Sequence, residues 1–137
     1  GPGGAPGVAK EAREEFEAIS RDPRRARDFQ ASTLHKPVPA DFFERMVASA
    51  GSVPPRLWTQ FGPDVQNADT AAGLASIKVP TLLVWGDRDS MLSRKDQDTL
   101  LARIKGSRLI VYPETGHSPH WEDPQRFAAD LVAFMSR

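Results

Sequence analysis

The chain has 137 residues, 39% of them hydrophobic, enough to fill the core of one domain of ordinary size. Lys plus Arg equals Asp plus Glu, 18 each, so no charge excess favours nucleic acid or an anionic membrane. The absence of cysteine excludes disulfides and thiolate zinc sites and leans toward a cytoplasmic protein, and no apolar run approaches the roughly 20 residues that span a bilayer.

The opening GPGGAPGVAKEA has no apolar h-region and reads as a loop, not as a signal peptide. It starts without Met, and Gly1-Pro2 reads as native sequence exposed by something missing upstream rather than as a tag remnant. Residues 9 to 78 then read as helices punctuated by proline. The first is expected over about Val8–Ser20, with Phe16 and Ile19 on one face. Asp22-Pro23 starts the next, which runs to about His35. Pro39 opens a third over Ala40–Ala50, striped by Phe42, Phe43, Met46 and Val47 and stopped by Gly51. Pro54-Pro55 opens a short fourth around Leu57, Trp58 and Phe61, and a further helix or turn is expected near Thr70–Ser76.

From residue 81 the period changes. TLLVW (81–85) is a continuous apolar run, the pattern of a strand buried on both faces. Ser93 with Asp96 forms a near capping box for a helix over Arg94–Ile104, which Gly106 ends. RLIVYP (108–113) is a second buried strand, and Asp123-Pro124 starts a last helix to Met135 with Phe127, Leu131 and Phe134 on one face. The order β-α-β-α makes the two strands parallel and the crossover right-handed.

Ligands of open parallel sheets bind beyond the carboxyl ends of the strands. There the sequence puts WGDRD, with Asp87 and Asp89, and GHSPHWEDP, with His117 and His120. A carboxylate accepting the Nδ1–H of a histidine fixes its tautomer and leaves Nε2 to take a proton from a nucleophile or water. A lone Asp after a strand is more often a turn former, and a lone loop His a surface residue. The pair, one crossover apart, favours a site. Asp87 reads as the turn former at Gly86, His120 as lining or structural, and Glu122 and Asp123 as serving the N-terminus of the last helix. No metal-ligand spacing joins His35, His117 and His120, and no metal or other cofactor is expected.

These segments resemble the α/β-hydrolase superfamily. WGDRD is similar to its G-x-x-D turn, GHSPHWEDP to its G-H-x-x-x-x-E segment, and the interval between Asp89 and His117, 28 residues, fits that pattern. The resemblance implies an α/β fold class: residues 79–137 as the last β-α-β-α part of the parallel sheet, preceded over 1–78 by a leading loop and an all-helical cap, and incomplete by itself. It also implies Asp89 as triad acid and His117 as triad base, with Phe42, Phe43, Met46, Trp58 and Phe61 of the cap as candidates to touch a small apolar ester or lactone. The same apolar stripe would equally serve as packing of the cap on the core.

The family's nucleophile sits on a G-x-S-x-G elbow upstream of both. No serine here has Gly at both −2 and +2. The expectation is the C-terminal portion of a serine-type hydrolase, partnered by an N-terminal half that carries the nucleophile or by a second copy of itself, since an exposed strand edge invites pairing. An Asp or Cys nucleophile in that half stays open. Epoxide hydrolysis is disfavoured because Tyr112, the one tyrosine, falls on a strand. C–C bond hydrolases often carry Trp directly after the histidine, where this chain has Ser118. The alternative is a non-catalytic assembly module that self-associates through its sheet edge.

Overall fold

The computed structural model describes residues 14–19, 21–58, 60 and 71–136. They fall into two compact units, Gly1–Ala31 with Pro39–Asp69, and Ser32–Val38 with Thr70–Arg137.

The first unit is helical. Its elements are the helical residues 14–19, helix α1 (Pro23–Ser32, whose last residue belongs to the second unit), helix α2 (Ala40–Ser52) and a helical turn at 55–58. Ile19, Ala26, Val47 and Ala50 are buried together, and Phe16, Phe29, Phe43 and Trp58 pack around them. Phe16 stacks on Trp58 at 5.7 Å while Phe29 meets both rings edge-on, the geometry that ring quadrupoles favour. The indole N–H of Trp58 donates to the carbonyl of Ala50, 3.3 Å, giving the polar end of a half-buried ring a partner.

Two helix ends differ from the sequence expectation, each for a physical reason. Gly51 does not stop α2, which runs through it to Ser52. Val53 follows in extended backbone, φ −70° and ψ 126°, because the ring of Pro54 bars the helical region to the residue before it. The proline, not the glycine, ends the helix. The helix expected to reach His35 ends at Ser32. Beyond it the backbone groups of Thr33, His35 and Lys36 bond to residues 117 and 122 instead of continuing the helical ladder.

The second unit holds the sheet. After the short helix α3 (Ala71–Leu74) come strand β1 (Leu82–Gly86), helix α4 (Arg94–Arg103), strand β2 (Arg108–Tyr112), helix α5 (Pro119–Glu122) and helix α6 (Pro124–Met135). The strands are parallel, in register from Leu82 opposite Arg108 to Gly86 opposite Tyr112. The capping box of α4 forms: Asp96 N–H donates to Ser93 Oγ at 3.3 Å, and Ser93 N–H to Asp96 Oδ2 at 2.7 Å. Gly106 follows with φ +77°, the left-handed turn that glycine adopts without strain. Tyr112 is wholly buried, and its hydroxyl donates to Asp130 Oδ2 at 2.6 Å, tying the end of β2 to α6. Burial first, and this bond second, push the phenol well above its ordinary pKa.

The strands are less buried than their apolar runs suggest. Of their ten residues only Trp85, Gly86 and Tyr112 are buried; the rest are half-covered. Among the described residues the sheet has two strands, so each has a neighbour on one side only. Helix α6 likewise buries no residue, and its Leu131, Val132 and Met135 are exposed.

Candidate active site

The two loops leaving the strands are pinned to one another. Asp87 N–H donates to the Tyr112 carbonyl (3.0 Å) and Arg88 N–H to that of Thr115 (2.9 Å). The Asp87 carboxylate accepts from Glu114 N–H at 2.7 Å, so Asp87 bridges the loops as well as turning the chain. The approach is close enough to demand glycine. A Cβ at Gly86 would lie 2.2 Å from the carbonyl oxygens of both Thr115 and Gly116. A Cβ on Gly116 would meet His35 N, Thr33 O and Glu122 Oε1 at 2.8–2.9 Å.

This packing brings Asp89 and His117 together. Asp89 Oδ2 lies 2.9 Å from His117 Nδ1, and Asp89 Oδ1 accepts from the N–H groups of Met91 (2.8 Å) and Leu92 (3.0 Å). The Asp89 side chain is 3% exposed, that of His117 35%. Three donors on a buried carboxylate offset the loss of its hydration. An ionised carboxylate only accepts, so the proton of neutral His117 sits on Nδ1. Nε2 then presents a lone pair and has no hydrogen-bond partner among the described residues. The pair can take a proton at Nε2 and stabilise the imidazolium that results.

Around it lie groups to which the sequence reading gave other roles or none. The ring of His120 rests on Trp121 (4.7 Å between centroids) and Phe127 (5.8 Å). Desolvation first and the nearby His117 second hold its pKa below the ordinary histidine value. His35, without an evident partner in sequence, meets Glu114 through Nε2 at 3.2 Å. Arg88 Nε donates to the same carboxylate at 3.1 Å, and Arg88 before His35 keeps Glu114 below its ordinary pKa. Glu122, expected to serve a helix N-terminus, lies in the first turn of α5, and its carboxylate accepts from the backbone of residues 35, 36 and 116. The contacts to residues 35 and 36 span more than eighty residues, and no local pattern signals them. Among the described residues no group of three or more His, Asp or Glu side chains could hold a metal ion.

The candidate substrate-contacting residues belong to the helical unit. Met46 is buried there, and Phe43 and Trp58 pack on its core, so packing accounts for these three without a substrate. Phe42 lies under the Arg45 guanidinium, 5.8 Å from its ring centre, and Phe61 lies outside the described residues.

Residues 1–130 match the alpha/beta hydrolase family. The chain belongs to that family. Similar proteins include the 2-hydroxy-6-oxononadienedioate/2-hydroxy-6-oxononatrienedioate hydrolase of Klebsiella pneumoniae, 34% identical over 83 residues that make up 61% of this chain and 26% of that one. An esterase from Exiguobacterium antarcticum superposes with a TM-score of 0.84 at 22% identity, over 94% of this chain and 48% of the esterase. A bromoperoxidase from Bacillus anthracis does so at 0.80 and 16% identity, over 91% of this chain and 48% of that chain. This alpha/beta hydrolase chain therefore spans about a quarter of the curated relative and about half of each solved structure. The fold class expected from the strand-end motifs, a helical portion followed by a short parallel sheet of the alpha/beta hydrolase type, is the one found.

Proposed function

We propose that this chain supplies the acid and base of a serine-type hydrolase acting on an ester or lactone by acyl transfer. The observation that carries the reading is the buried Asp89 carboxylate bonded to Nδ1 of a half-exposed His117. In this reading His117 Nε2 accepts the proton of a serine hydroxyl as the oxygen attacks the carbonyl, and returns it to the leaving alcohol. It then activates the water that releases the acid. Asp89 holds the tautomer throughout and stabilises the imidazolium. The serine, on a G-x-S-x-G elbow, and the oxyanion donors come from polypeptide outside these 137 residues, since no serine here carries that pattern. That polypeptide would also cover the half-exposed strands. The helical unit serves as a cap, with Phe42, Phe43, Met46, Trp58 and Phe61 the candidates to touch the substrate.

A second reading keeps the mechanism and changes the substrate. The curated relative from Klebsiella pneumoniae is named for hydrolysis of an oxo-dienedioate, an acidic ketone rather than an apolar ester. Ser118, where C–C bond hydrolases often carry Trp, favours the ester.

The test uses a fluorophosphonate probe and two substrates, a p-nitrophenyl ester and a 2-hydroxy-6-oxo-dienedioate. The chain alone should neither be labelled nor turn over either. Mixed with the N-terminal portion of a family member carrying the elbow, it should hydrolyse the ester, with the label on the added polypeptide. Labelling of this chain by itself would refute the assignment.

A further inference from the structure

We propose that Glu122 is a positioning residue that sets the ring of His117 against Asp89, and that residues 32–38 are part of the same device; this rests on reading His117 as the base. The Glu122 carboxylate sits at the centre of four contacts to backbone donors. Gly116 N–H reaches both of its oxygens, at 2.9 and 3.0 Å, His35 N–H reaches Oε2 at 2.9 Å, and Lys36 N–H reaches Oε2 at 2.7 Å. The next amide along, that of His117 itself, donates to the carbonyl of Thr33 at 2.9 Å. The two peptide groups that lead into His117 are therefore both fixed, one through Glu122 and one directly, to a segment more than eighty residues earlier in the chain.

The chemistry of the side chain matters as much as its place. A carboxylate offers two oxygens with about four acceptor sites and no donor. That suits three converging N–H groups, and bonds to a charged acceptor are the strong ones. A glutamine of the same shape turns its NH₂ toward at least one of those donors. The glycine is equally constrained, because any Cβ on Gly116 would press on His35 N, Thr33 O and Glu122 Oε1 at once. A capping role does not explain the arrangement. Glu122 lies in the first turn of the four-residue helix α5, yet its oxygens accept from the amides of residues 35, 36 and 116, all of which lie outside that helix. The consequence is directional. Removing the carboxylate frees the Gly116 peptide, the ring of His117 gains rotational freedom, and the Nδ1 bond to Asp89 is no longer enforced.

The chain has three histidines, so ¹⁵N-imidazole NMR reads each ring separately. In the unaltered chain His117 should hold one tautomer, with the proton on Nδ1. In Glu122→Gln that tautomer should give way to a mixture, while the ring signals of His120, which makes no bond to Glu122, stay as they were. A folded Glu122→Gln chain with unchanged His117 signals overturns the proposal. Should that variant not fold, hydrogen exchange on the unaltered chain decides. The amides of Gly116, His35 and Lys36 lie outside helix and strand, yet should exchange roughly 10- to 100-fold more slowly than open loop amides. Exchange at the open-loop rate overturns the clamp. Neither readout uses turnover, so the role of His117 as base is decided separately, by His117→Ala.

Discussion

Gly86 and Gly116, the last residue of one strand and a loop residue after the next, touch backbone to backbone, and the approach leaves no room for a side chain on Gly86. That contact lets the loop with Asp89 and the loop with His117 share their hydrogen bonds. A methyl group on Gly86 would meet two carbonyl oxygens at 2.2 Å, and backbone cannot rotate away as a side chain can. Gly86→Ala should destabilise the chain by about 2 kcal/mol or more, read from urea unfolding. Gly51→Ala is the control of opposite sign. It lies within α2 with nothing within 4 Å of an added Cβ, and should stabilise by about 0.5–1 kcal/mol.

Asp89→Asn keeps the shape of the pair and removes its sense. The amide can present a donor to Nδ1, which favours the proton on Nε2, the wrong atom for a base. In the complemented enzyme turnover should fall by roughly 10³- to 10⁴-fold, with substrate binding little changed. A loss of less than about tenfold would place the chemistry elsewhere.

Two groups make stability fall with falling pH, each in its own window. Glu114 is held below its ordinary value of 4.5, so its contribution is present above that value and is lost as pH falls through the folded value. His120 is held below its ordinary value of 6.5, so the folded chain binds that proton less readily than the unfolded one. Stability should therefore be highest above 6.5 and fall as pH drops through it. The urea midpoint should be lower at about pH 5.5 than at about pH 7.5, and His120→Gln should shrink the difference. An undiminished difference would assign it to another group.

The half-covered strands and the exposed Leu131, Val132 and Met135 predict that the chain does not stay alone. Light scattering at rising concentration should show dimers or larger species, reduced when an N-terminal portion of a family member is added. A monodisperse species of 15.1 kDa at every concentration contradicts this.

Much of this was legible in the sequence where the signal is local. The capping box at Ser93 and Asp96, both strands, and the Asp89–His117 pair follow from period, turn residues and spacing. Helix ends were not legible where two signals compete, as when Pro54 overrides Gly51. The engagement of Glu122 with residues 35, 36 and 116 was invisible because backbone N–H groups carry no sequence identity. Only the fold brings them to one carboxylate.

The most direct test of the central claim is the rate of p-nitrophenyl ester hydrolysis by this chain mixed with an elbow-bearing N-terminal portion, compared with the same mixture carrying His117→Ala. Turnover should appear in the first and fall to background in the second, with circular dichroism unchanged. Equal rates in the two mixtures would show that His117 is not the base and that its bond to Asp89 serves only the fold.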